Sequence, residues 1–250
     1  TTDADLGVTG YVYRVALAIT NLPVQPLVNT FVPERRDTIG GMLATDIMLA
    51  GRGIRMSSLN EHLRGSISAD VLDGHLKNTP VLSEVGRALR LEALENYSFG
   101  DGVARMQIQT GVVQVSSIAL QGALARINTR GYLTLQQELN LTMHLALSAR
   151  GVTDLLDNRL PFSGQLGRYY DLPLPIPITG TFTNPIVSVS YSGVLDQFMP
   201  MIGLDPRDLL QGVLDKIPSD AIRKELDSGV KMLRGLFDNV TIPGTSTKNR

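Results

Sequence analysis

Residues 139–148, LNLTMHLALS, decide the fold class of this chain because apolar and polar side chains alternate along them. The apolar positions are Leu139, Leu141, Met143, Leu145 and Leu147. Successive side chains of an extended strand project to opposite faces, so a period of two indicates a β-strand rather than a helix. The segment therefore predicts a strand with one apolar face and one polar face.

The same alternation recurs along the chain on the N-terminal side of this segment. We predict that its apolar positions lie on the same face of one sheet; they are Val15, Leu17, Ile47, Leu49, Ile67, Met106, Ile108, Val113 and Val115. Glycines separate the runs at intervals of about ten residues between positions 100 and 131, which is typical of antiparallel strands joined by turns. We therefore predict about four or five antiparallel strands over residues 100–148, with a hairpin turn at Gly100-Asp101-Gly102.

Two short segments predict helices. Residues 22–33 place apolar side chains at helical spacing, and residues 79–90 begin with Thr79 as the N-cap and Pro80 at the first helical position. Proline punctuates residues 172–178, LPLPIPI. Because proline cannot donate a ladder hydrogen bond, we expect this segment to run extended along a sheet edge or over the surface.

These patterns predict a mainly β fold: a long curved antiparallel sheet, in the form of an open groove or half-barrel, with a few short helices. The predicted curved β-sheet groove domain covers residues 1–192, with helical inserts near 22–33 and 79–90. A C-terminal helical segment over 193–238, with its last helix at about 219–237, is expected to pack on or beside the groove. Residues 239–250 are expected to be a flexible tail.

Composition excludes several classes of function. The 23 basic and 24 acidic residues nearly cancel, so the basic surface that nucleic acid requires is not expected. The absence of cysteine excludes disulfide scaffolds, thiolate zinc sites and thiol nucleophiles. No stretch matches a spanning helix or signal peptide, so a membrane anchor would have to lie outside this sequence. The strand-like start at Thr1 fits a piece of a longer protein.

Residues 174–185, LPIPITGTFTNP, resemble a signature near the end of the C-terminal region of the AsmA family, which is related to TamB-type bridge-like envelope proteins. Residues 49–74 resemble an upstream stretch of that family, with Gly65 and Gly74 at its glycine positions. Residues 111–135 resemble the part in which a strand pair precedes a glycine and another amphipathic strand. The resemblance covers most of residues 43–191; residues 35–41 and those after 193 depart from it.

The resemblance implies a periplasmic groove of curved β-sheet, an inner-membrane anchor in the full-length protein, and a part in outer-membrane biogenesis or lipid movement. The residues themselves point in the same direction, because an apolar sheet face must be covered by another sheet, by helices or by a ligand. A strand of about eight residues is ~26 Å long, which is comparable to an acyl chain. We therefore predict that the alternating apolar positions given above line a lipid-binding groove.

The expected partners are a phospholipid or another acyl-chain lipid and envelope proteins, without nucleic acid. The alternative is a structural interaction module that assists outer-membrane protein assembly without lipid, its apolar face fully covered by the C-terminal helices. An outer-membrane barrel is disfavoured, because a chain with no tryptophan and 5% aromatic residues has little material for two aromatic girdles.

No motif for catalysis or metal binding is present in the sequence. His62, His75 and His144 stand outside any ligand or catalytic pattern, so we expect surface or hydrogen-bonding roles for them. The pair Tyr169-Tyr170 favours packing of the extended segment over a binding lip. Signatures of zinc proteases, serine hydrolases and phosphate loops are absent. We expect a non-enzymatic protein with no catalytic residues, no metal and no cofactor.

Overall fold

The computed structural model describes residues 2–5, 12–31, 36–53, 61–156, 162, 164–165 and 167–204. The chain divides into two compact units, Thr1–Phe198 and Met199–Arg250. All strands of the described residues belong to the first unit. The predicted helix at 219–237 and the predicted tail at 239–250 lie outside the described residues.

Strands dominate the first unit. They are β1 (Thr2–Asp5), β2 (Val12–Pro23), β3 (Ile39–Arg52), β4 (Arg64–Lys77), β5 (Asn96–Gln109), β6 (Val112–Gln121), β7 (Ala125–Thr134), β8 (Leu139–Ser148), β9 (Tyr169–Asp171), β10 (Ile176–Gly180) and β11 (Pro185–Val187). The helices are α1 (Val24–Phe31), α2 (Pro80–Leu89), α3 (Ala149–Leu155) and α4 (Tyr191–Met201), with one turn of 3₁₀ helix at Glu92–Leu94.

These strands form one eleven-stranded antiparallel sheet in which neighbours in sequence are neighbours in space. The order runs from β1 through β8 to β10 and β11, and β9 pairs with the other end of β8. Among the described strands, β1 and β11 each pair on one side only, so the sheet is open. The mainly β, antiparallel fold with short helices is confirmed, as are the consecutive strands predicted over residues 100–148.

The hairpin turn predicted at Gly100-Asp101-Gly102 is wrong, because these residues lie inside β5. Asp101 pairs with Leu72 on β4 and with Gln121 on β6. Gly102 makes room for an aromatic ring instead, because a Cβ there would lie 2.6 Å from the Phe99 ring. A Cβ at Gly74 would lie 2.1 Å from the same ring. Glycine here indicates close packing, which sequence alone does not separate from a turn.

The edge position predicted for the proline-rich segment is also wrong, because β10 lies between β8 and β11. Pro177 pairs with Thr142 of β8, and its carbonyl accepts a hydrogen bond from the Ser188 amide at 3.1 Å. The N and O of one strand residue face the same neighbour, so the nitrogen that lacks a proton faces the β11 side. The ladder between β10 and β8 therefore loses no hydrogen bond at Pro177.

Helices α1 and α2 lie within the segments 22–33 and 79–90 that the sequence singled out. Thr79 occupies the N-cap of α2 and Pro80 follows it, but the Thr79 side chain makes no capping hydrogen bond and its hydroxyl is buried without a partner. Helix α3 was not predicted. It begins after Ser148, whose hydroxyl accepts a hydrogen bond from the Gly151 amide at 3.3 Å.

Cross-strand pairing places the predicted groove residues on one side of the sheet, the apolar face. One row of directly paired residues consists of Leu17, Ile47, Ile67, Met106, Val115, Gly131, Leu141 and Ile178. The next row consists of Val15, Leu49, Gly65, Ile108, Val113, Leu133 and Leu139. Directly opposed residues project to the same side, so these rows form one continuous strip. The residues between them form the opposite side, the polar face.

The core lies on the apolar face of β5–β8 and β10, which we call the covered half of the sheet. Helices α2, α3 and α4 supply buried side chains, among them Leu82, Val85, Leu89, Val152, Leu155, Val194 and Phe198. Helix α3 contacts β8, and α2 contacts β11. The Tyr191 hydroxyl donates to the Leu155 carbonyl at 2.7 Å and joins the first residue of α4 to α3.

Candidate functional site

The predicted groove residues on the covered half are core side chains. They are Ile108, Val113, Val115, Leu139, Leu141, Met143, Leu145 and Leu147, and all of them are buried. Leu145, for example, exposes 2% of its surface. In this conformation each of these residues exposes at most 8% of its surface, so the accessible part of the predicted groove excludes them.

The remaining predicted residues are accessible. Leu17 on β2 exposes 45% of its surface. Val15, Ile47, Leu49, Ile67 and Met106 are half-buried. All but Met106 lie on β2–β4, which we call the open half of the sheet; Met106 lies on β5, where the two halves meet. The apolar face thus continues from a covered region into an accessible one.

No charged residue occurs in the three described rows of paired residues that cross the apolar face of the open half. A third row of directly paired residues crosses it at Ile19, Thr45, Ala69 and Ala104. The polar member of this row, Thr45, is buried, and its hydroxyl donates to the Ser68 carbonyl at 2.9 Å. Because that hydrogen bond satisfies the hydroxyl, Thr45 does not interrupt the apolar surface. Asp70 of β4 stands on the polar face, where it accepts a hydrogen bond from Arg105 at 3.1 Å.

The polar face of the open half also carries apolar side chains. Met48 exposes 63% of its surface and Leu72 exposes 54%. Strands β2–β4 therefore present accessible apolar groups on both faces, although helix α1 contacts β3. A ligand or partner that covers either face would gain apolar contact area.

Two groups with shifted pKa values, Tyr97 and Asp37, have structural roles. Burial raises the pKa of Tyr97, whose hydroxyl donates to the Ala125 carbonyl at 2.8 Å. Hydrogen bonds from the side chains of Gln25 and Asn29 lower the pKa of Asp37, which ties α1 to the turn before β3. The largest cause is burial for Tyr97 and amide hydrogen bonds for Asp37, with smaller effects of Tyr169 on the first and of Lys77 and Arg36 on the second. Because these causes belong to packing and to a loop contact, neither pKa shift indicates catalysis.

The histidines are dispersed. His62 is exposed immediately before β4, and His144 is exposed on the polar face of β8. His75 lies inside β4, where its ring fills the space beside Gly40. In the part of the chain that the structure describes, no group of three or more acidic or histidine side chains could hold a metal ion.

The tyrosine pair packs as the sequence favoured. The Tyr169 hydroxyl donates to the Gly122 carbonyl at 2.8 Å, and the Arg126 guanidinium lies 4.1 Å from the centroid of the Tyr169 ring. The Tyr170 ring meets Phe162 edge-on at 5.0 Å between centroids. The sequence did not allow a binding role to be assigned to the polar-face residues near Tyr169, because they come from separate strands that no local motif connects.

None of the described helices is both long enough and apolar enough to cross a membrane. The chain was compared with protein-family models, with curated proteins and with solved structures, and none of them matches it.

Proposed function

We propose that the chain is a periplasmic lipid-handling module, part of an AsmA-like protein anchored in the inner membrane, and that it acts in outer-membrane biogenesis without catalysing a reaction. The observation that carries this proposal is the uncharged apolar face of the open half, on which Leu17 exposes 45% of its surface. The sequence resemblance to the AsmA family supports the same assignment and supplies the cellular location.

Hydrocarbon suits this surface better than a polar ligand does. The rows through Val15, Leu17 and Ile19 offer aliphatic side chains and no buried donor or acceptor that a ligand must satisfy. Removing about 200 Å² of apolar surface from water stabilises a complex by about 5 kcal/mol at ~25 cal/mol per Å². Such binding recognises an acyl chain through its area and discriminates little between head groups.

The covered half gives this site a rigid support. Ile108 and Val113 are buried next to half-buried Met106, so the accessible strip begins where the core ends. Strands that are fixed on one side by a packed core hold their neighbours in register. We propose that acyl chains bind over β2–β4 and that the buried residues of β6–β8 act only as support.

The test is lipid binding by matched variants on opposite faces of adjacent strands. Leu17 on β2 points to the apolar face, and Met48 on β3 points to the polar face. We expect the purified chain to carry lipid in native mass spectrometry and to bind a fluorescent fatty acid. Leu17→Asp should weaken fatty-acid binding at least about tenfold, because a carboxylate must be desolvated under the acyl chain, whereas Met48→Asp should not.

A lipid-free mass spectrum, with no uptake of the fluorescent fatty acid, would contradict the proposal. Equal weakening of fatty-acid binding by both substitutions would also contradict the proposal, since it would show that binding does not depend on the apolar face. Far-UV circular dichroism of both variants controls for loss of the fold.

The alternative function is a structural module that assists outer-membrane protein assembly without lipid. The exposed side chains of Met48 and Leu72 on the polar face favour it, because an acyl chain on the apolar face does not cover them. The experiment is the refolding of an outer-membrane porin into phospholipid vesicles with the chain present. Acceleration that Met48→Asp abolishes and Leu17→Asp leaves intact would support this alternative over lipid handling.

A further inference from the structure

The polar face of the covered half contains a cleft that the proposed lipid site does not use. It has a volume of about 460 Å³ and lies across β5–β9. Small-molecule sites occupy roughly 300–1,000 Å³, so the cleft is large enough for a small ligand that contains a ring. It lies on the opposite side of the sheet from the buried core.

Strand register forms the cleft. One row of directly paired residues crosses the five strands, and its members are Asp101, Gln121, Arg126, Ala146 and Asp171. The adjacent row consists of Val103, Ala119, Asn128 and His144. Polar side chains of these rows surround the small side chains of Ala119 and Ala146. The alanines leave the space, and the longer polar groups form its walls.

One wall is held in place before any ligand arrives. The Arg126 guanidinium lies 4.1 Å from the Tyr169 ring centroid, and the Tyr169 hydroxyl is fixed by its hydrogen bond to the Gly122 carbonyl. Stacking on an aromatic ring restricts the guanidinium while leaving the edge of its plane available for hydrogen bonds. Such preorganisation lowers the entropy cost of binding.

The chemistry of the walls indicates the class of ligand. The carboxylates of Asp101 and Asp171 accept hydrogen bonds, the Arg126 guanidinium donates, and the amides of Gln121 and Asn128 can do both. Neighbouring hydroxyl groups on a ligand ring also donate and accept hydrogen bonds, so they can pair with these side chains. Two carboxylates against one guanidinium give no excess of positive charge, which disfavours phosphate and other anions.

We propose that this cleft binds a neutral saccharide, independently of the lipid site on the opposite face. The sugar hydroxyls hydrogen-bond to the aspartates and to Arg126, and the sugar C–H groups lie against Ala119 and Ala146. The ligand class follows from the mixed, nearly balanced set of planar polar groups around a small apolar floor.

The experiment uses maltotriose and N,N′-diacetylchitobiose as probes, titrated up to millimolar concentration and followed by amide chemical shifts and by calorimetry. We expect at least one of them to bind and to shift the signals of β7–β9. Asp101→Ala and Asp171→Ala, both at exposed side chains, should each weaken binding about tenfold, as expected for the loss of a hydrogen bond to a charged group. Ala146→Leu should abolish binding by filling the cleft.

The control variants are Met48→Leu, which is remote from the cleft on the polar face, and Leu17→Asp, which disrupts only the proposed lipid site. Both should bind the saccharide like the parent chain, so failure of lipid binding and failure of saccharide binding are distinguishable. Three outcomes overturn the proposal: neither probe binds, inorganic phosphate binds more tightly than both, or the aspartate variants bind unchanged. If Ala146→Leu loses its far-UV circular dichroism, the two aspartate variants decide the question.

Discussion

The two halves of the sheet share a sequence pattern but differ in what covers them. Strands β2–β4 alternate apolar and polar residues just as β6–β8 do, yet Leu17 exposes 45% of its surface and Leu145 exposes 2%. Helix α3 follows β8 directly, and helix α2 reaches β11, so the covered half obtains its second layer from nearby helices. Alternation therefore defines a face, while neighbouring elements decide whether that face becomes core or surface.

The sharpest test of this comparison is truncation of one leucine in each half. Leu145→Ala should lower the free energy of unfolding by about 2–5 kcal/mol, because it leaves a cavity in a packed core. Leu17→Ala should lower it by less than about 1 kcal/mol, because the side chain is already largely hydrated. Urea titration followed by circular dichroism measures both. Equal losses would remove the distinction between a covered and an open half.

A second test concerns the backbone of the covered half. Gly131 on β7 has a φ of 137°, and a Cβ there would lie 2.2 Å from the Asn140 carbonyl oxygen. Gly131→Ala should therefore cost about 1–3 kcal/mol of stability through strain and displacement of β8. Gly100→Ala on β5 is the matched control, because nothing lies within 4 Å of its added Cβ. Thermal unfolding compares the two, and an equally destabilised control would argue against a local clash.

A third test uses the buried hydroxyl of Tyr97, which lies on β5 in the covered half. Tyr97→Phe should cost about 1–2 kcal/mol, because the Ala125 carbonyl loses its side-chain donor. The raised pKa of Tyr97 means that the folded state holds the phenol proton more tightly than the unfolded state does. The contribution of the Tyr97 phenol to the free energy of unfolding is therefore complete below the ordinary tyrosine pKa of about 10 and decreases as the pH rises above that value.

The pH dependence of Tyr97 is checked by melting temperatures measured between about pH 9 and 11. The parent chain should lose more stability over this range than Tyr97→Phe does. Tyr132→Phe, at an exposed ring, is the control and should follow the parent chain. Parallel curves for all three proteins would show that ionisation of Tyr97 is not linked to folding.

The smallest effect is expected on the polar face of the open half. Asp70→Asn removes the exposed ion pair with Arg105, and we expect a loss below about 1 kcal/mol that decreases further in high salt. Urea titrations at low and high salt measure it. A loss as large as that of Leu145→Ala would show that the open half depends on charge pairing rather than on its register with β5.

The sequence predicted the individual strands well and the two special segments poorly. The period of two in 139–148 corresponds closely to β8, and every apolar position assigned from such runs lies on one face. Gly100-Asp101-Gly102 was misassigned because a glycine such as Gly102 can make room for a packed ring inside a strand as readily as it can form a turn. Pro177 was misassigned because whether a proline interrupts a ladder depends on which neighbour its nitrogen faces.

The candidate sites were predictable only in part. The apolar strip through Leu17 and Ile67 can be predicted from the sequence, since both positions fall in alternating runs. The polar cleft is not, because Asp101, Arg126 and Asp171 lie far apart in the chain and meet only through the register of β5–β9. No local pattern encodes that register, which depends on where each turn and bulge falls.

The alternation of side chains is enough to predict a mainly β chain of one-sided strands, because it is a property of each strand alone. Which stretch of the apolar face is buried, and which polar groups share a cleft, becomes clear only in the folded chain. Both depend on contacts between residues far apart in the chain, where helix placement and strand register set the outcome.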